Sequence, residues 1–381
     1  IDMSMVSITK HQDYRLEEIT TAVRTHFKRF QLEQQLSANT KVLIKPNLLM
    51  KRRPEEFTTT HPTLVEAAII CLKELGVKHI TVADSPGGLY TVSALRGIYQ
   101  ASGMMEVCKR QRVILNEDIS FQEKGNPSAV LVKKFPLIQP VIQADFILDI
   151  CKLKSHAMTG LSGAVKNLFG CIPGLTKPEF HWRFPEKEQF CQMLVDLCET
   201  VKPDFVLVDA IHAMEGDGPS GGTMRKVNRV LASNQPYDLD YCLCQLIGVL
   251  PERILTVSHS IQRGLCCGEL CDIQIIGESL QTVADFQMPQ DKGLDFMAWV
   301  PKFLRKPAKA ITEKFLTSRP KIRTADCIGC GKCAESCPPK TIQIVDRKAK
   351  INDKNCIRCF CCHEMCPVKA IDIKRSRLFL K

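Results

Sequence analysis

Aromatic residues are scarce in this sequence: 2 Trp, 5 Tyr and 17 Phe make up 6% of 381 residues. That is too few for a base-stacking platform, so the net charge of +11 is not read as a nucleic-acid surface. Runs of about 18 or more apolar residues are absent, which leaves no candidate for a membrane-spanning helix. The first ten residues lack a charged segment followed by an apolar one and a cleavage site, so export is not expected and a cytoplasmic, reducing setting is. Disulfides do not persist there. The glycines at 87–88 and 218–222 match neither the Walker nor the dinucleotide fingerprint, and no flavin signature is visible. With 45% hydrophobic and 24% charged residues, the chain can bury a large core in more than one domain.

Cysteine is what the sequence has in excess. Twenty cysteines under reducing conditions point to metal ligation. Cys327-x2-Cys330-x2-Cys333-x3-Cys337-Pro338 recurs 29 residues later as Cys356-x2-Cys359-x2-Cys362-x3-Cys366-Pro367, the spacing of bacterial two-cluster ferredoxins. Three thiolates on one tight loop wrap three corners of a cuboidal cluster, and the fourth, before proline, serves the other cluster. Two [4Fe-4S] clusters are therefore expected, one on Cys327, Cys330, Cys333 and Cys366, the other on Cys356, Cys359, Cys362 and Cys337. Zinc is the weaker reading, because structural zinc sites use two close pairs separated by a longer loop. The second copy has Phe360 and Cys361 where the first has Gly331 and Lys332. The phenyl ring is expected to shield its cluster, and Cys361 is read as a spare thiol. Cys242, Cys244, Cys266, Cys267 and Cys271 are read as small hydrophobes and not as a third site. Ligand thiolates and cluster cores together would lower the charge by roughly 4, leaving a basic protein suited to a small anionic substrate or an acidic redox partner protein.

Upstream, β-rich runs at 5–9, 41–45, 79–83, 113–115, 144–150, 205–208 and 253–257 alternate with helical patterns at 16–36, 62–75, 92–103, 160–169, 187–201 and 237–247. This predicts an α/β fold, a mostly parallel sheet flanked by helices, followed by a small α+β ferredoxin-like domain. The expected divisions are an α/β domain at 1–280, a basic, proline-punctuated connector at 281–322, and the cluster domain at 323–381. Within the connector, Trp299, Phe303 and Phe315 accompany lysines and arginines. A solvated amphipathic helix packed on the main domain is expected there, with a membrane-surface helix as the alternative.

Parallel sheets bind ligands beyond the carboxyl ends of their strands, so polar residues that follow apolar runs carry the functional signal. Lys45, Lys152, Lys154 and His156 are in such positions and together would hold and polarise a carboxylate or phosphate. Asp84, Glu215 and Asp217 would supply carboxylates for proton transfer or a divalent metal. Lys166 and Asn167 interrupt an apolar helical stretch, where a desolvated lysine suits anion binding or acid chemistry. His181 is a similar candidate. The bland alternative for each is a solvated strand-end residue.

VLIKPNLL at 42–49, His61-Pro62, ADSPGG at 83–88, KLKSHAMTG at 152–160, AVKNLFG at 164–170 and MEGDGP at 214–219 resemble the DUF362 family. That resemblance implies an iron–sulfur protein whose α/β domain carries motif residues Lys45, Asn47, His61, Asp84, Lys152, Lys154, His156, Lys166, Asn167, Glu215 and Asp217. The expectation is a protein moving low-potential electrons to or from an anion in the α/β domain. Lys45, Lys154, His156, Lys166, Glu215 and Asp217 would act in catalysis, and Asn47, His61, Asp84, Lys152 and Asn167 in substrate binding. The alternatives are a ferredoxin-type carrier whose α/β domain docks a partner or senses a metabolite, and a scaffold or maturation factor with structural clusters.

Overall fold

The computed structural model describes residues 4–174, 176–289 and 319–374. The α/β part contributes β1 (Ser4–Lys10), β2 (Lys41–Pro46), β3 (His79–Val82), β4 (Ile114–Leu115), the hairpin β5 (Phe121–Gly125) and β6 (Lys134–Ile138), β7 (Phe146–His156), β8 (Gly160–Ser162), β9 (Phe205–Glu215), β10 (Thr223–Ser233) and β11 (Ile273–Gly277). One sheet runs β11-β1-β10-β9-β7-β2-β3-β4, with β8 folded back onto β7. The pairs β9-β7, β7-β2, β2-β3, β3-β4 and β1-β11 are parallel, while β10 is antiparallel to both neighbours. The sheet is mixed and mostly parallel, flanked by helices.

Helix periodicity decides which faces are covered. In Leu16–Arg29, Ile19, Ala22, Val23, His26 and Phe27 are buried at spacings of three and four, with acids in the first turn and bases in the last. Pro62–Glu74 starts with proline in its first turn, and His61 accepts from the Thr63 amide as its cap. These helices and Val92–Ala101 cover one face of the sheet, while Lys187–Val201, Pro236–Leu246 and Leu255–Gln262 cover the other, each face with its own apolar core. Each fully buried Leu, Ile, Val or Phe contributes about 1.5–3 kcal/mol.

Several expected elements differ. The run at 253–257 is a short turn of helix leading into helix Leu255–Gln262, because its β-branched residues pack on Lys187–Val201 instead of entering the sheet. The stretch 160–169 is helical only from Ala164 on, as a short α-helix Ala164–Asn167 followed by a 3-10 turn Leu168–Cys171, since Gly160–Ser162 pairs with β7. Helix 16–36 breaks at Gln31, whose φ of 52° is left-handed. β10 was not expected at all. β7 and β9 each run to 11 residues, so Lys152, Lys154 and His156 belong to a strand and not to the loop beyond it.

The cysteine module pairs β12 (Arg319–Ile322) with β15 (Ile371–Lys374), and β13 (Ile342–Val345) with β14 (Lys348–Ile351). The 29-residue repeat holds in the backbone: Gly329, Gly331 and Lys340 have φ of 69°, 78° and 52°, and Arg358, Phe360 and Lys369 have 57°, 59° and 51°. Described residues at both ends of the expected connector pack on the neighbouring modules. Thr282 and Val283 bond to Gln245 and Leu246 carbonyls, Phe286 is buried, and 319–322 joins the module by pairing. Its predicted amphipathic helix, with Trp299, Phe303 and Phe315, lies outside the described residues. No helix among the described residues is long and apolar enough to cross a membrane.

Candidate functional site between the two modules

The eight motif cysteines fall into two sets. Cys327, Cys330, Cys333 and Cys366 line one hollow with an envelope of about 320 Å³ that includes open solvent, and Cys337, Cys356, Cys359 and Cys362 line another with an envelope of about 290 Å³. Among the described residues no three His, Cys, Asp or Glu side chains converge tightly enough for a single ion. Each set of thiols encloses a volume, which fits a multi-iron cluster better than one zinc. The amides of Thr341 and Ala370 donate to the sulfurs of Cys337 and Cys366 at 3.3 and 3.1 Å, matching positions of the repeat; such bonds tune a cluster's potential. Phe360 is buried against the second cavity and Cys330 is exposed beside the first.

A crevice with an envelope of about 710 Å³ separates this module from the α/β domain. Lys154, His156, Lys166, Lys177 and His181 face it from the α/β side, and Ser336, Cys361, Glu364 and Met365 from the module side. The last four each adjoin or closely flank cysteines of the two sets. Behind the wall a polar chain reaches into the sheet. Lys154 Nζ donates to Asn47 Oδ1 at 2.8 Å and to the Thr58 carbonyl at 2.7 Å. Asn47 donates to Asn167 at 2.8 Å, and Asn167 to Asp149 at 2.6 Å. Lys45, fully buried, pairs with Asp84 at 2.9 Å.

Burial sets the protonation of this site. It pushes Lys154 down to about 7, helped by the charge of Lys166 and opposed by Glu364. It pushes Lys177 to about 7 as well, against the pull of Asp84. Lys166 is lowered by burial and pulled back by Glu364. Burial acts most strongly on Lys45 too, but Asp84, with smaller help from Cys171 and Asp149, opposes it and the net shift is upward. His156 is held neutral by burial and neighbouring lysines. Its Nδ1 accepts from the Met158 and Thr159 amides, so Nε2 carries the proton and lies 3.6 Å from Glu364. Asp240 fixes Lys166 in place by accepting from the Ala164 and Val165 amides at 2.7 and 3.1 Å.

Of the residues singled out in the sequence, Asn47, Asp84, Lys154, His156, Lys166, Asn167 and His181 line the crevice, with Lys45 directly behind Asp84. Lys152, His61, Glu215 and Asp217 do not. Lys152 is drawn into a separate buried network. It pairs with Asp209 at 2.9 Å and touches Tyr14 Oη at 3.0 Å, and the Tyr14 ring stacks on His61 at 3.6 Å. The pairing of β7 with β9 shifts register between Lys152 and Lys154, and the two lysines serve different sites. Glu215 accepts from the Gln287 amide at 3.0 Å.

The loop after β9 serves as a seat for the cysteine module. Ser220 Oγ donates to the Glu364 carbonyl at 3.3 Å, and a Cβ at Gly221 would lie 2.9 Å from the His363 ring. Gly87 likewise leaves room for Met365, whose sulfur would be 2.6 Å from a Cβ there. Arg52, buried, donates to the Cys366 and Pro367 carbonyls, both at 3.1 Å. Sequence reasoning missed Arg52, Lys177 and Glu364, since each gains its place only by contact between distant segments. Gly221→Val is expected to loosen this seat, speeding amide exchange across 361–366 by about tenfold or more while β7 stays protected; hydrogen-exchange mass spectrometry checks this.

Comparison with known proteins bears on both modules. The family described as "Domain of unknown function (DUF362)" matches residues 42–245, more than half of the chain. The chain belongs to the DUF362 family. A 4Fe-4S dicluster domain matches residues 319–367, which gives this DUF362 protein an iron–sulfur, ferredoxin-like module and an electron-transfer role. The "Thylakoid-associated protein sll1697" of Synechocystis sp. is 29% identical over 265 residues, covering 68% of this chain and 79% of that protein. Two solved structures are more distant. A Thermotoga maritima protein has a TM-score of 0.37 at 16% identity, covering 54% of this chain and 53% of its own. The lactate racemase apoprotein from Thermoanaerobacterium thermosaccharolyticum has 0.38 at 15%, covering 64% and 57%. The matched region thus spans little more than half of either solved chain.

Proposed function

We propose that this DUF362 protein passes low-potential electrons to or from a small anion held in the crevice between its α/β domain and a two-cluster module. The observation that carries the reading is the shared wall: two buried lysines, Lys154 and Lys177, and the half-buried Lys166 face, across one crevice, residues adjoining the cysteines of both sets. When bound, each [4Fe-4S] cluster supplies or accepts one electron. Lys154, Lys166 and Lys177 bind the anion and offset its charge, the protonated Nε2 of His156 orients it, and Lys166 holds a proton at the crevice. Phe360 and the α/β wall keep water from the inner cysteine set. In this reading the Lys152–Asp209–Tyr14–His61 network supports the sheet beneath the site.

The test is anaerobic purification, iron and acid-labile sulfide analysis, and EPR of the dithionite-reduced protein with and without a panel of small carboxylates and phosphates. Roughly eight irons and signals that one compound reoxidises support the reading. Roughly eight irons with indifference to every anion would leave a carrier. Lys166→Ala should retain its iron yet lose at least about tenfold in reoxidation rate.

The pH dependence has a definite sign. Lys154 and Lys177 have pKa values near 7 without an anion, so both gain protons as pH falls through 7. An anion binds the protonated forms, so its affinity should rise about tenfold per lysine from pH 8 to pH 6, with proton uptake measurable by calorimetry in buffers of different ionisation enthalpy. Affinity that is flat or falls in that window would remove these lysines from the site.

A further inference from the structure

Resting on the electron-transfer reading, the ligand itself can be narrowed from what surrounds it. The ammonium groups in the crevice are solvated by neutral partners. Lys154 uses the Asn47 side chain and the Thr58 carbonyl. Lys177 uses the Ser85 and Pro86 carbonyls. Lys166 lies over the Phe169 ring at 4.7 Å. Among the described residues two carboxylates line the crevice beside these three lysines, of which Asp84 is already paired with Lys45, leaving Glu364. An anion entering the crevice would supply the counter-charge that the lysines need when protonated.

One polar atom points to a ligand. His181 is 4% exposed, lines the crevice and stacks on Phe190 at 4.4 Å, yet its Nδ1 is buried with no hydrogen bond. A buried imidazole nitrogen left unpaired is costly, and a ligand oxygen or N–H would relieve it.

Much of the remaining wall is apolar, formed by Leu49, Pro86, Phe169, Pro178, Pro219 and Met365. Inorganic phosphate would leave that surface wet, whereas an apolar body would cover it. The electron source in the reading above works one electron at a time, which favours an acceptor that delocalises an added electron.

We infer that the crevice takes a carboxylate carried on a flat, conjugated body, that is, an aromatic or α,β-unsaturated acid. Its carboxylate lies among Lys154, Lys166 and His181 and its body against Phe169, Leu49 and Met365.

The experiment is calorimetry on the anaerobic, full-length holoprotein with cinnamate, cinnamamide, acetate and inorganic phosphate, followed by EPR of the reduced protein with each. Cinnamate should bind at least about tenfold tighter than each of the other three. Lys166→Met should lose about tenfold in cinnamate affinity at unchanged iron content, and Phe169→Leu should weaken cinnamate without changing acetate. Phosphate or acetate matching cinnamate would overturn the conjugated body, and cinnamamide matching it would overturn the carboxylate. Tight cinnamate binding that leaves the reduced-cluster signals untouched keeps this inference and removes electron transfer to the bound acid. Reoxidation by cinnamamide in protein that does not bind cinnamate does the reverse.

Discussion

Asp84→Asn is expected to destabilise the fold by about 3–5 kcal/mol, the cost of breaking a buried ion pair from one side. Lys45 is fully buried, and its ammonium meets only the Asp84 carboxylate at 2.9 Å and the Pro46 carbonyl at 3.0 Å. Asparagine keeps the shape but removes the carboxylate bonded to this ammonium, leaving only the weaker pull of Asp149 against burial in a dry wall. The sign with pH follows. In the parent the Lys45 pKa is raised by Asp84, so its contribution is present below the unfolded value of 10.5 and is lost only above the folded one. In the variant burial acts unopposed by Asp84 and the folded pKa drops, so its stability climbs as pH rises from neutral towards 10. Urea denaturation at pH 7 and pH 9.5 should show the gap narrowing, and Asp84→Asn/Lys45→Met should recover much of the loss. A gap under about 1 kcal/mol at pH 7 would mean that the pair is solvated.

Cys362→Ser should remove one cluster outright, taking iron from roughly eight to roughly four per chain. Cys361→Ser should leave it at roughly eight. The two thiols are adjacent and both buried, but only Cys362 lines the cavity shared with Cys337, Cys356 and Cys359, whereas Cys361 lines the crevice. Iron and sulfide assays on both variants separate a ligand from a bystander. Iron lost equally from both, or from neither, would contradict the ligand set proposed for this cavity. If the electron-transfer reading holds, Cys362→Ser also abolishes anion-dependent reoxidation, because the lost ligand set lies against the crevice.

Legibility from the sequence followed the range over which each constraint acts. The cysteine repeat was legible because a cluster-binding loop is local: three residues at fixed offsets, with left-handed turns at 329, 331, 358 and 360, supply three ligands, and the fourth comes from the other copy of the same short repeat. Strands β1, β2 and β3 and helices such as Pro62–Glu74 were legible because apolar periodicity and caps act within a few residues. The failures cluster at the site. β7 was read as ending near Ile150 because a buried strand carrying Lys152, Lys154 and His156 breaks the apolar pattern that marks strands. Gly87 was recognisable as part of the ADSPGG motif and Gly221 only as a glycine that fits no nucleotide fingerprint; the reason for both, room for Met365 and His363, lies more than 140 residues away.

The sequence by itself therefore determined the chemistry available: eight thiols in two interleaved sets, a basic balance, and lysines at the ends of parallel strands. Only the tertiary structure decided which of those lysines act together. It sent Lys152 to Asp209 and Lys154 to the crevice, and brought Arg52, Lys177 and Glu364 to a boundary that no local pattern marks. The physical reason is that spacing controls geometry within a loop or strand, whereas a charge buried between modules is held by partners that only the packing of the whole chain supplies.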